Sequence, residues 1–352
     1  MTIPSLSPDR LRQLLHVEAP LMNAPTPVCS RPAIVAAVCR AGGLGVVDAT
    51  LMTPAELERF VAEVRSAVEG PLAIALRIPK RRVELDAEDL GALAEGMRPY
   101  CEPLGVDPAA VLADVPTFEE ELERFDALFE KAVSLEPVAM ISLSGGFREP
   151  EEERLEELGI ANLGVATTLL EGKVLRTAGA DAVIVQGSEA GGERLAFESA
   201  EAEKSSLMNL VPQVVRATGL PVIAWGGVAT PEQAGALAVL GAEGAVLENV
   251  LLASEESTLP GMLKNFIVSG SLKNTVLASG FHGREGRFLR TAFSADLPTE
   301  QFPPCAALEL IMRAITRAAW EKGVFQLMEV PVGEEVGSVV PSDTASVIKA
   351  FA

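Results

Sequence analysis

Asp181-Ala182-Val183-Ile184-Val185-Gln186-Gly187-Ser188-Glu189-Ala190-Gly191-Gly192-Glu193-Arg194 is the stretch that decides the fold of this chain. Its apolar run, Ala182 to Val185, has the length and character of a strand buried on both faces, as strands are in parallel sheets. Small and charged residues follow at once. Gly187, Gly191 and Gly192 free the backbone for tight turns or for close approach to a ligand. Glu189 and Glu193 stand at the mouth of that turn, where α/β enzymes gather their chemistry. Taken alone, the segment reads as well as a glycine-rich loop with solvated carboxylates, so the rhythm on either side has to decide.

Upstream, Val17 to Met22 forms a candidate first strand that runs into the proline-broken loop Asn23-Ala24-Pro25-Thr26-Pro27. Ser7-Pro8-Asp9 starts a short helix ahead of it, and Arg31-Pro32 opens another that runs to Arg40. Strands at Val46-Val47, Leu72 to Ile78, Val138 to Leu143 and Asn162 to Val165 follow. Between them, Thr53-Pro54-Ala55-Glu56 reads as a capped helix start. Residues 80–135 are acidic and proline-broken, with Phe118 to Val133 as their clearest helix. Downstream come the strands Pro221 to Ala224, leading into Trp225-Gly226-Gly227-Val228, and Gly244 to Leu247. Strand and helix alternating eight times predict an α/β chain folded as a (β/α)8 TIM barrel. A doubly wound sheet is the alternative, because sequence does not show closure. After residue 256 the rhythm changes, and Leu259 to Gly270, Ser271 to Ser279 and Cys305 to Lys322 are expected to be helices. The expected domains are therefore a barrel of residues 1–255 plus 326–352, closing with a helix Ser342 to Phe351, and a helical cap of residues 256–325 inserted after the last strand.

Composition narrows the partners. Lys and Arg total 29 against 49 Asp and Glu in 352 residues, a formal charge of −20 that repels nucleic acid and anionic lipid. A small-molecule substrate is expected instead. No leader pattern and no membrane-length apolar run are read in the chain, and Cys29, Cys39, Cys101 and Cys305 match neither zinc nor CxxC spacing. A cytoplasmic protein with reduced thiols is the expectation. His16 and His282 are the only histidines, so imidazole chemistry is nearly excluded and no metal site is expected.

The motifs, taken in order, resemble those of the nitronate monooxygenase family, long called 2-nitropropane dioxygenases, and of the related FMN-dependent enoyl-ACP reductases. The resemblance rests on Ala19-Pro20-Leu21, Ala41-Gly42-Gly43-Leu44-Gly45, Gln186 to Gly192, Pro221 to Val228, Ala253-Ser254-Glu255-Glu256-Ser257 and the arginine run Gly283 to Arg290. It implies FMN across the C-terminal ends of the strands, with the phosphate on the turns after the seventh and eighth strands. By that resemblance Gly226 and Gly227 approach the phosphate, Gln186 and Gly187 border the ring beside Gly192, and Ala19, Pro20, Leu21 and Met22 line its other side. Trp225 either stacks on an aromatic ligand or packs under the cap.

This chain departs from the family pattern at ligand positions. Glu193 replaces the histidine of EAGGH. A carboxylate can take over as base if burial raises its pKa, an effect that Arg194 would oppose by folding back. Glu248-Asn249 replaces Gly-Thr, placing a carboxylate against the phosphate and putting FMN in question. Ala75 removes an asparagine beside the ring. The leading expectation is an FMN-dependent oxidoreductase with Glu193 as acid or base and Glu189 and Gln186 in support. One alternative is a flavin-independent lyase, isomerase or dehydratase pairing Glu193 with Glu248; another is a non-catalytic binding subunit. His282 reads as a group that reaches the site from the cap or as a surface histidine. Arg284, Arg287 and Arg290 read as a carboxylate or phosphopantetheine site or as partners of the chain's own acids. A homodimer and an acyl-carrier or biosynthetic partner complete the expected partners.

Overall fold

The apolar runs become short, buried strands in the computed structural model, which describes residues 6, 9–198, 204–295, 297, 299 and 302–351. The chain order is β1 (Leu21–Asn23), β2 (Gly45–Asp48), β3 (Leu72–Leu76), β4 (Ala139–Ser142), β5 (Ala161–Ala166), β6 (Ala182–Gln186), β7 (Gly192–Glu193), β8 (Val222–Trp225), β9 (Gly244–Leu247), β10 (Thr275–Ala278) and β11 (Gly286–Leu289). Eight of these form one parallel sheet in the order β1-β9-β8-β6-β5-β4-β3-β2. A bridge between Met22 and Leu44 brings its two edges together, so the sheet is a TIM barrel and the doubly wound alternative falls. At that seam the Asn23 side chain stands in for a strand. Its Oδ1 accepts from Val46 N–H at 2.8 Å and its Nδ2 donates to Val46 C=O at 2.8 Å.

Local chemistry explains where the intervening helices begin. Thr53, Thr117, Thr168 and Thr230 each cap a helix and are answered three residues on by Glu56, Glu120, Glu171 and Gln233. The opening helix is Asp9–Leu15; Ser7 and Pro8 of its expected start lie outside the described residues.

The segment after residue 256 differs from a purely helical cap. Helices do form at Gly261–Ser269 and Ala306–Lys322, but the helix expected over Ser271 to Ser279 is replaced by β10. Thr275 and Val276 are β-branched, and pairing with β11 outweighs any local helical preference. β11 also pairs with β7, at Gly286 with Glu193 and Arg287 with Gly192. This small antiparallel sheet clamps the glycine-rich loop and holds the turn between β10 and β11 over the barrel mouth. The Ala306–Lys322 helix packs on the excursion helices Ala87–Cys101 and Pro108–Leu112. One buried apolar cluster runs from Leu21 and Val183 in the barrel to Phe281, Phe288 and Ile311 above it. Among the described residues no helix is long and apolar enough to cross a membrane.

Candidate functional site

Most barrel strands are apolar until their C-terminal end, where the first polar or aromatic side chain emerges; β5, with Asn162 near its start, is the exception. Asp48, Arg77 and Trp225 arrive in this way from β2, β3 and β8, and with Glu193 they line a cavity of about 440 Å³. On the β1 side the wall is Pro25, Thr26 and Pro27. The first strand begins four residues later than the sequence reading placed it. Ala19, Pro20, Leu21 and Met22 are therefore buried in or before β1, with Ala19 N–H bonded to Gly42 C=O and Pro20 C=O to Ala245 N–H.

The Glu193 carboxylate is buried and gripped by Arg77, with N···O distances of 3.1 and 2.5 Å. Arg284, from the turn after β10, lies 3.4 Å away. Burial alone would raise the carboxyl's pKa, but Arg77, His282 and Arg284 together outweigh it and hold the pKa at about 2. A base requires the opposite shift. Arg194, expected to oppose Glu193, instead bonds the carbonyls of Gln186 and Thr167 at the strand ends.

Histidine chemistry enters the cavity from above. His282 lines it from the turn between β10 and β11, with Nε2 2.8 Å from Glu329 Oε1. Burial disfavours the charged ring, yet Glu329 and then Glu193 raise its pKa to about 9. His282 is thus an imidazolium at neutral pH. Arg31, the residue before the Pro32–Arg40 helix, also faces the cavity, 5.0 Å from the Trp320 ring centroid. Its Nε is buried without a hydrogen-bond partner, and burial alone lowers its pKa, with no carboxylate contributing.

The family model for nitronate monooxygenase matches residues 9–323. The chain belongs to the nitronate monooxygenase family. A probable nitronate monooxygenase from Staphylococcus saprophyticus is 29% identical over 323 residues, covering 89% of this chain and 88% of the relative. One from Staphylococcus aureus is 29% identical over 295 residues, covering 82% and 80%. Among solved structures, nitroalkane oxidase from Streptomyces ansochromogenes superposes with a TM-score of 0.84 at 25% identity, covering 97% of both chains. FabK from Thermotoga maritima shares the fold, with a TM-score of 0.75 at 23% identity, covering 98% of this chain and 95% of that one. Family membership supports an enzyme of the oxidoreductase kind.

The other residues singled out by the family motifs serve the loops around the cavity. Gln186 donates to Glu193 C=O at 3.0 Å and accepts from Leu195 N–H at 2.9 Å, which fixes the 193–195 turn. Glu189 accepts from Leu207 N–H at 3.1 Å, at the start of the Leu207–Thr218 helix. Gly187 leaves room for Glu189 and Leu207, and Gly192, at φ 76°, pairs with Arg287. In the arginine run, Arg287 bonds Glu334 and Thr275, and Arg290 bonds the carbonyl of Lys273.

The FMN phosphate does not fit the seat that the family assigns to it. Gly226, at φ 120°, gives room to the chain itself: a Cβ there would lie 2.7 Å from Ala190 N. Glu248 is buried, with Oε2 accepting from Gly191 N–H at 2.8 Å, and the Trp225 side chain also favours its charged form. Burial raises its pKa to about 7. Glu335 is buried beside it, and its carboxyl is stabilised by the peptide N–H groups of its own residue, Asn249 and Gly227. Burial, then the charge of Glu248, raises the Glu335 pKa to about 8. Asn249 is occupied as well, exchanging side-chain hydrogen bonds of 3.1 and 3.2 Å with the Gly333 backbone. In the turn that a phosphate would meet, Gly191 N–H already serves Glu248, and the Glu335 carboxyl is buried alongside.

Sequence reasoning passed over Arg31, Asp48, Arg77, Glu329 and Glu335. For Asp48 and Arg77 a signal existed, since each is the charge that ends an apolar strand. Glu329 and Glu335 come from a return segment whose path is set by tertiary packing.

Proposed function

We propose that the chain is an oxidoreductase of the nitronate monooxygenase kind that acts on a small organic anion in the cavity at the strand mouths. In this reading His282 takes the proton-handling place expected of Glu193. The observation that carries it is His282, hydrogen-bonded to Glu329 and facing the same cavity as Glu193 and Arg31. The names of the relatives fit an anionic substrate, since a nitronate carries negative charge. Among the described residues Arg31 forms no ion pair with a carboxylate, so its positive charge can hold that anion. His282 donates a proton or hydrogen bond where charge builds up, with its Nε2 side fixed by Glu329. Glu193 is the ionised anchor that orders Arg77 and helps keep His282 charged. In this reading the electrons pass from the nitronate carbon to molecular oxygen, and no step is routed through FMN, because its phosphate seat does not fit.

Oxygen uptake with a panel of alkyl nitronates tests the reading. His282→Gln is expected to lower kcat by about 10²-fold or more. Arg31→Met is expected to raise KM and leave kcat nearly unchanged. Uptake by the wild type that is indifferent to both changes would sink the assignment.

The filled phosphate seat favours a second reading, a flavin-independent proton-transfer enzyme of the lyase, isomerase or dehydratase class. Its acids would not be Glu193 and Glu248, since one is held by Arg77 and the other interacts with Glu335. His282 and Glu329 would serve instead. A colourless preparation that takes up no oxygen, yet exchanges the α-proton of small nitroalkanes or keto acids in D2O, would select this reading over the first.

A further inference from the structure

Two carboxyl side chains meet in the compartment bounded by the turns after β8 and β9. One belongs to the barrel: Glu248, at the end of β9, holds Gly191 N–H. The other, Glu335, arrives from the return segment and is buried where the peptides of Gly227 and Asn249 favour its charged form. The return segment is firmly seated. Gly333 is tied to the Asn249 side chain, Glu334 N–H to Glu189 C=O at 2.9 Å and Gly337 N–H to Ile267 C=O at 2.8 Å. Gly191 lies so close that a Cβ there would be 2.5 Å from the carbonyl carbon of Val332 and 2.7 Å from Glu248 Oε1.

We propose that Glu335, held beside Glu248, is a built-in replacement for an anionic headgroup, closing this compartment to phosphate-bearing ligands so that the chain accepts only ligands that end within the cavity at the strand mouths. The argument is one of occupancy and charge. An arriving phosphate would have to expel Glu335 from the N–H groups it needs, which means detaching a segment anchored on both sides. It would then lie buried next to Glu248, with no cation of the described residues paired to that carboxyl. The raised pKa values of both acids agree with a pair that keeps a proton between them near neutral pH. This inference goes beyond the proposed reaction, because binding is read without turnover.

The experiment titrates the full chain with FMN and with riboflavin, following quenching of flavin fluorescence. Wild type is expected to show no preference for FMN. Glu248→Gly combined with Glu335→Ser removes both carboxyls and opens the seat. That double variant is expected to gain at least tenfold in FMN affinity relative to riboflavin, and inorganic phosphate is expected to compete with FMN in the variant alone. Wild type that prefers FMN tenfold over riboflavin overturns the proposal. So does a double variant that melts cooperatively but gains no preference. If the double variant fails to fold, Glu335→Gln is read in its place: a rise in FMN affinity supports the proposal, and no change overturns it.

Discussion

Glu193 and His282 share a cavity and are pushed toward opposite charges. Each is buried, and burial by itself would neutralise both; what separates them is company, Arg77 for the acid and Glu329 for the ring. Removing a buried charge strands its partner. Glu193→Gln is therefore expected to cost about 3 kcal/mol, read from the urea midpoint, with part recovered by adding Arg77→Gln. The same substitution is expected to lower the His282 pKa from about 9 toward its ordinary 6.5. A proton NMR titration shows this directly, because His16 is the only other histidine. The sign for stability follows. A histidine whose folded pKa is raised contributes fully below about pH 6.5 and loses that contribution as pH rises through about 9. Wild type minus Glu329→Gln, measured as the change in Tm from pH 6 to 10, should shrink across that window. A constant difference would mean that Glu329 acts by packing alone.

Among the elements, the barrel and two cap helices were legible and the hairpin of the cap was not. Strands such as Ala182–Gln186 and Val222–Trp225 are short apolar runs with glycine at the exit, a pattern that local residues alone produce. β10 and β11 exist because they pair with each other and with β7, and that pairing leaves little trace in a window of ten residues. The cost to the site was direct, since the hairpin that was missed carries His282 and Arg284. Where the chain closes its barrel, one side chain replaces a ladder. Asn23→Ala strips partners from both Val46 N–H and Val46 C=O, and two buried backbone groups left unpaired are expected to cost about 2 to 4 kcal/mol. Asn23→Asp keeps the acceptor but sets a buried carboxylate against Val46 C=O, so at neutral pH it should cost at least as much as Asn23→Ala. An Asn23→Ala variant as stable as wild type in chemical denaturation would count against the seam. Gly226→Ala is a steric counterpart: at φ 120° and 2.7 Å from Ala190 N, the added methyl is expected to lower stability by about 2 kcal/mol or more and to shift the Trp225 fluorescence maximum.

For the whole molecule, charge that is useless to the fold still shapes it. Family motifs revealed the architecture across nearly all of the chain, whereas the ligand end was obscured where Glu193 and Glu248 replaced basic or neutral residues of the pattern, and where Glu335 arrives from a segment that the motifs do not cover. Those carboxyls are buried and spoken for; most of the 49 acidic residues are not, and they face only 29 basic ones. Exposed like charges repel within a Debye length of about 10 Å at 0.1 M salt, and that length falls to about 3 Å at 1 M. The buried pair of Arg77 with Glu193 lies at 2.5 Å and is little screened at either concentration. Raising sodium chloride should therefore relieve surface repulsion while leaving the site's ion pairs intact, and Tm should climb by several degrees between 10 mM and 0.5 M salt. Calorimetry at fixed pH 7 checks it. Glu193→Gln should show the same salt slope from a lower starting Tm, because its deficit is internal. A Tm that falls with salt would mean that exposed ion pairs, such as Arg81 with Glu119, outweigh the excess of negative charge.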